Sequence, residues 1–307
     1  MIVIISLFSL ISGIPDNRWT GGSGIGFLGF AGHQNTLAAA ILLTLPGVFY
    51  LLFTYHQIKS FEHRGVKNFV NTLFGKKGII YSLLIVNIFL IVITYSRASI
   101  LALIAGIIVF AFSLQAYKVL YSIALIGIVL IFMFMAFEPF NSSVMRILSK
   151  DGGDILSRRI VLWQPSIEAI KAGGLFGIGY GMSVPGIKTP ELTGSYYEKG
   201  RYVREKGNSV FALLEETGWL GLILFILPIG VLIRNFFNYR KSLFGLASYK
   251  NKSVLVSYDF ITSSIIFSSL AALLVHAQFE GWWSGVGSIH LPIFYLLMLL
   301  AKNNFSS

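Results

Sequence analysis

The chain has 307 residues, 55% of them hydrophobic and only 12% charged, with a formal net charge of +11 and a mean hydropathy of +0.75. Soluble domains carry about 25% charged residues, so a chain this poor in charge has too little polar surface to face water all round. There is no cysteine, which excludes disulfides, thiolate metal sites and a cysteine nucleophile.

In chain order, apolar runs broken by polar or glycine-rich stretches predict membrane spans near 1–13, 34–55, 78–95, 99–116, 119–137, 209–233, 258–279 and 289–301. Each approaches the roughly 20 residues that a helix needs to cross about 30 Å of hydrocarbon. Helices are expected because backbone groups in lipid must be satisfied within the segment. The first run, Met1 to Ile14, lacks a basic leader region and a small-residue cleavage site before Pro15. It reads as a short first span, either complete or the remnant of a longer protein cut at its amino end. The expected fold is an all-α integral membrane protein of about eight spans, one domain over 1–307.

Charge orients the spans. Residues 56–77 carry Lys59, Arg64, Lys67, Lys76 and Lys77 against the single acid Glu62, and 234–257 carry Arg234, Arg240, Lys241, Lys250 and Lys252. Lys and Arg gather in cytoplasmic loops, so both connections are expected inside. The net positive charge needs no nucleic acid, and no basic helix or aromatic-basic module suggests one. The outer face then receives residues 14–33, the turn Ser96-Arg97-Ala98, a 71-residue loop over 138–208 between spans five and six, and the turn 280–288.

Within the loop, Ile160, Trp163, Ile167 and Ile170 recur at helical spacing. They predict an amphipathic helix on the membrane surface with Trp163 at headgroup depth. Arg159 lies one turn before Trp163 and either contacts lipid phosphate or serves a site. The helix should end at Gly173-Gly174, before Gly177-Ile-Gly179-Tyr-Gly181. Such a run is either a turn or a backbone cradle for an anion. Gly24-Ile-Gly26-Phe-Leu-Gly29 has the form G-x-G-x-x-G but follows no strand of a βαβ unit, so a dinucleotide site is rejected.

Charge in apolar surroundings marks candidate functional positions, because each such group needs a partner or a task. Arg97 sits between two apolar runs, where it either snorkels to the interface or serves a site. Glu215 and Glu216 fall seven and eight residues beyond Asn208, about 10 Å deep at 1.5 Å per residue. They are expected to pair with an arginine or to face a polar cavity. His276 and Glu280, four apart, are expected on one helix face beside Trp282 and Trp283. His33 and Asn35 open span two, where Asn35 also suits a helix cap. Arg97, Arg159, His33, Asn208, Glu215, His276 and Glu280 all map near the outer face.

The order Gly32-His-Gln-Asn35, Thr94-Tyr-Ser-Arg97, Arg159-x-x-x-Trp163, Gly177-Ile-Gly-Tyr-Gly181 and Asn208 with Gly218-Trp-Leu-Gly221 resembles the O-antigen ligase and polymerase superfamily. The likeness spans about residues 30 to 300, and the chain looks like a carboxy-terminal portion of such an enzyme. The resemblance implies glycosyl transfer without metal or cofactor at the outer face of the cytoplasmic membrane. The donor would be an undecaprenyl-diphosphate-linked glycan, the acceptor a glycan or lipid, with membrane lipid as the other partner. It implies that Arg97 and Arg159 hold the lipid diphosphate, with Glu215, Glu216 and His276 as further catalytic candidates. Arg158, Trp163, His33, Asn35, Asn208 and Glu280 fall to substrate contact. The family's ligases carry a histidine before the asparagine; here that position is Gly207, which favours a polymerase-like branch, a base from elsewhere, or loss of activity. The alternative from another class is a transporter or channel for a small anion, using the same arginines as a filter. Against it stand the long loop and the lack of an inverted repeat.

Overall fold

The computed structural model describes residues 1–12, 27–31, 34–60, 77–139, 142, 157–180, 197–198, 201–202, 207–250, 258–281 and 290–305. Among these the architecture is helical: α1 (Ile2–Ser12), α2 (Gln34–Leu42), α3 (Leu45–Ser60), α4 (Lys77–Ile93), α5 (Arg97–Ser113), α6 (Tyr117–Ala136), α7 (Ser157–Gly173), α8 (Ser209–Lys250), α9 (Tyr258–Ala277) and α10 (His290–Phe305). A helical region falls on every expected span. Four are long and apolar enough to cross a membrane: Gln34–Thr54, Tyr117–Ala136, Ser209–Ser242 and Phe260–Ala277. The helices at the other four expected spans are apolar but have fewer than 18 residues.

Four boundaries differ from expectation, each for a local reason. Span two is two helices, α2 and α3, meeting at Leu43-Thr44. Pro46 lacks the N–H that would continue the ladder there, and Thr44 Oγ1 donates to the Ile41 carbonyl at 2.7 Å and meets Asn87 of α4. Arg97 is not in a turn but is the first residue of α5, because Thr94-Tyr95 makes the turn and Ser96 is the N-cap. The segment 234–257, expected as a loop, is helical as far as Lys250, since α8 has 42 residues. The loop 138–208 holds more than helix: Tyr197–Glu198 pairs antiparallel with Arg201–Tyr202.

The central pair is α5 and α9. Small residues let them approach: a methyl group added to Gly106 would lie 3.2 Å from Ala272 Cβ. Ser263, Ser264, Ser268 and Ser269 of α9 are buried. Close packing of small residues is how helices associate where lipid removes the hydrophobic drive. On one side of α9, Ala272 joins a cluster with Leu37, Ile41, Leu90 and Ala102. On its other side, Ile266, Leu270 and Leu273 pack with Leu232 of α8 and Phe294 of α10. The helix α6 has no buried residue. At the opposite end from the site described below, the Arg240 guanidinium sits 4.6 Å above the Phe112 ring and donates to the Phe112 carbonyl.

Candidate functional site

The polar residues gather where α5 begins, α8 begins and α9 ends. Asn208 is the N-cap of α8: its Oδ1 accepts from the amides of Val210 (2.8 Å) and Phe211 (3.0 Å). Its Nδ2 donates to the Gln278 carbonyl at 2.8 Å, and Ser209 Oγ donates to the Glu280 carbonyl at 2.5 Å. The carbonyls beyond the end of α9, which a helix leaves without partners, are thus met by the residues that start α8.

Arg159 completes this junction. Its Nη1 donates to the carbonyls of Phe279 and Gly207, the latter at 3.2 Å, and its Nη2 lies 3.4 Å from Glu280 Oε1. A cation suits the negative end of a helix dipole, and the planar guanidinium reaches three acceptors at once. Asn35 Nδ2 donates to the same Glu280 oxygen at 2.6 Å. Glu280 therefore joins α2, α7 and the exit of α9. Trp163 is not a lipid-facing anchor: its Nε1 donates to the Gly207 carbonyl at 3.4 Å and its ring meets Phe211 edge-on at 5.8 Å. The inward face of α7 is Trp163, Ser166, Ala169 and Ile170, with Ile160 and Ile167 turned outward. Ser166 and Ala169 are small enough for α7 to lie close on α8.

The two glycine motifs meet each other. At Gly218 (φ 67°, ψ −167°) α8 is broken. Unbroken, the carbonyls of 215 and 216 would accept from amides four residues on. Instead the Glu215 carbonyl accepts from Ile178 N (2.8 Å) and the Glu216 carbonyl from Gly179 N (3.1 Å), while Leu220 N donates to the Leu175 carbonyl (3.1 Å). The amides of Ile178 and Gly179 are spent on α8, so of the two readings of this run, turn or anion cradle, they fit the turn. The side chains of Glu215 and Glu216 are buried. Gly221 faces Thr217 so closely that a methyl group there would fall 1.9 Å from Thr217 Oγ1.

A second polar group lies along the first turn of α5. Tyr95 takes a left-handed conformation (φ 51°) just before Arg97, which costs a non-glycine residue about 1 kcal/mol or more. Ser96 Oγ lies 3.1 Å from Ser99 Oγ, and Ser99 Oγ lies 3.1 Å from His276 Nε2. The His276 ring is stacked on that of His290, centroids 6.1 Å apart. His276 and Glu280 do not share a helix face. The helix α9 ends at Ala277 and Phe279 N turns back to the His276 carbonyl, so Glu280 leaves toward Arg159 and His276 stays with α5.

Of the residues picked out from the sequence, Asn35, Arg159, Trp163, Asn208 and Glu280 are brought together, and His276 is brought to the turn after Arg97. His33, Trp282, Trp283, Gly181 and the side chain of Arg158 lie outside the described residues. Sequence reading missed Ser99, Ser209, His290 and the carbonyls of Gly207 and Phe279. Ser99 had a signal, one turn after Ser96; a main-chain carbonyl carries none. Among the described residues no cluster of three metal-ligating side chains occurs.

Residues 82–226 match the family model described as O-antigen ligase. That match supports the O-antigen ligase/polymerase superfamily. The matched stretch runs from within α4 to within α8 and includes Arg97, Arg159, Trp163, Asn208, Glu215, Glu216 and both glycine motifs; Asn35, His276 and Glu280 lie outside it. No curated protein and no solved structure matches the chain. O-antigen ligase proteins are glycosyl-transferring enzymes that act on lipid-linked glycan, and the apolar helices fit a multi-pass membrane protein.

Proposed function

We propose that this protein polymerises or transfers undecaprenyl-diphosphate-linked glycan at the outer face of the cytoplasmic membrane, without a metal. Eight spans form one membrane domain, with 138–208 as the extracytoplasmic loop that covers the acceptor. In the reaction, the acceptor hydroxyl oxygen bonds to the donor's anomeric carbon as the bond from that carbon to the diphosphate breaks. The hydroxyl proton passes to a base, and the diphosphate leaves with its lipid.

The observation that carries this reading is the position of Arg97 at the N-terminus of a 17-residue helix. The helix dipole disfavours a cation there by about 0.3–1 kcal/mol, whereas an anion would be held by both the guanidinium and the first-turn amides. A diphosphate gathering charge as it departs is such an anion, and charge stabilisation is the largest service a site can give it. Arg159 spends three of its five N–H groups on Phe279, Gly207 and Glu280, which fixes its guanidinium beside the start of α8. Glu215, Glu216 and His276 are the candidates for the base; Asn35, Asn208, Trp163 and Glu280 shape the acceptor side, with His33 and Arg158.

The test is complementation of a strain lacking the gene with wild type or Arg97→Ala, reading polymer length and carrier-linked intermediates on gels. Loss of long polymer with single carrier-linked units accumulating supports a polymerase; long polymer left on the carrier supports a ligase. Unchanged glycans with Arg97→Ala expressed at wild-type level would sink the proposal.

A further inference from the structure

The end of α7 and the break in α8 expose one apolar patch. Glu168 and Lys171 are exposed charges on the last turns of α7. Beyond them residues 172–180 carry no charge, and Leu175 and Phe176 stand exposed, Phe176 to 70%. Beside them Trp219 (52%) and Leu220 are exposed just after the break at Gly218. The two stretches are joined main chain to main chain, since Leu220 N donates to the Leu175 carbonyl at 3.1 Å. From there the exposed side of α8 continues through Ile223, Leu224, Leu227 and Val231.

We propose that this patch is a bilayer anchor: Leu175 and Phe176 insert beside Trp219 into the leaflet at the site's end of the bundle. An exposed apolar surface of this kind calls for an apolar cover. Its continuity with the outward face of a helix long and apolar enough to cross a membrane names lipid as that cover.

Two lengths set its depth. Between Glu216 and Arg234, residues 217–233 of α8 carry no charge, about 25 Å of helix at 1.5 Å per residue. The hydrocarbon layer is about 30 Å thick, so α8 needs all of that stretch to cross it, and Gly218 falls at one boundary. Tryptophan is enriched at such a boundary, and Trp219 follows at once. The second length is the path of α8 past α9. Asn208 meets Gln278 just beyond one end of α9, and Tyr239 meets Phe260 near the other. Those points are about 27 Å apart along α9 but about 47 Å apart along α8. The break at Gly218 takes up the difference, so the turns from Ser209 to Thr217 run aslant over the end of the bundle. The helix α7 lies on those same turns, from Trp163 against Phe211 to Ile178 bonded to the Glu215 carbonyl. Anchoring the tip therefore holds α7, and Arg159 with it, at one height above the lipid.

The chain has no cysteine, so a single introduced cysteine carries a spin label without background. Phe176→Cys is labelled in the full chain in lipid nanodiscs, with Ile128→Cys on the exposed helix α6 and Glu168→Cys on α7 as references. Collision with oxygen, which concentrates in hydrocarbon, is compared with collision with a water-soluble nickel chelate. The expected oxygen-to-nickel ratio is severalfold higher at 176 than at 168 and approaches that at 128. A ratio at 176 no higher than at 168 overturns the proposal and leaves the patch in water, as a face for glycan or for another protein. Leu175→Cys takes its place if the label at 176 disturbs folding. The unaltered chain gives a second reading: a phospholipid with a diazirine high on its acyl chain is photolysed in the nanodisc, and its cross-links are mapped by mass spectrometry. Cross-links on Leu175 or Phe176 as well as α6 are expected; cross-links on α6 with none at 175 or 176 overturn the anchor. Neither measurement depends on glycan transfer, so the anchor and the enzyme reading stand or fall separately.

Discussion

Gly177 and Gly218 cross main chain to main chain: a methyl group on Gly177 would lie 2.5 Å from the carbonyl carbon of Glu216, and one on Gly218 would lie 2.2 Å from the Leu175 carbonyl oxygen. Both residues also have positive φ, 75° and 67°. The outer loop is thereby stitched to the break in α8, and the stitch sets where α7, with Arg159, lies over the site. Alanine at either position must push backbone apart, so a loss of more than about 2 kcal/mol is expected, beyond the 1–2 kcal/mol of the left-handed conformation alone. Gly174 has φ +57° but open space around it, and Gly174→Ala should cost only the smaller figure. Thermal unfolding of the three variants in detergent checks the order; equal losses would refute the crossing.

Asn208 uses both ends of its amide, one as the cap of α8 and one on Gln278. Asn208→Asp keeps the capping oxygen and loses the donor, whereas Asn208→Ala loses both. Losing the cap costs about 1 kcal/mol and losing the second bond about 1 kcal/mol more. Denaturation midpoints should therefore rank wild type, Asp, Ala. An aspartate variant no better than alanine would show that the cap contributes nothing.

Lysine should not replace Arg159. An ammonium is a point donor and cannot span Gly207, Phe279 and Glu280 as the flat guanidinium does. Both Arg159→Lys and Arg159→Ala are expected to lower transfer at least tenfold. Glu280→Gln keeps an oxygen for Asn35 and loses only the ion pair, so it should cost about 1 kcal/mol or less in stability. Measuring rate and unfolding on the same preparations separates the two effects. Full activity in Arg159→Lys would refute the three-acceptor role.

Gly207→His would restore the residue that the family's ligases carry, yet it is not expected to raise activity. Gly207 has φ 59°, which favours glycine, and its carbonyl must stay turned toward Arg159 and Trp163. Histidine there should cost about 1–2 kcal/mol and disturb the start of α8. A gain in ligase product from this variant would contradict the account.

Much of the architecture was legible in the sequence because the signal is local. A helix falls on each long apolar run, and the family could be read from motifs whose order survives loose spacing. The Arg97, Arg159 and Asn208 positions were visible because charge and amide groups in an apolar chain have few other reasons to be there. The helix faces were less legible. Apolar periodicity put Ile160, Trp163, Ile167 and Ile170 together on one membrane-facing side of α7, but Trp163 and Ile170 turn inward while Ile160 and Ile167 stay exposed; lipid accepts an outward isoleucine, so periodicity loses its meaning where both sides are oily.

What the sequence alone determined, then, is which segments form apolar helices and which residue types are too costly among them without a task. What only the tertiary structure decided is their partners. Arg159 could have met lipid phosphate and meets the end of α9 instead; His276 could have met Glu280 and meets Ser99; the Gly177 run could have held an anion and holds a broken helix. The reason is common to all three. Those partners are main-chain groups or side chains from 37 to 177 residues away, and which carbonyl a helix end leaves open is fixed by where the helix stops, not by any residue that a sequence displays.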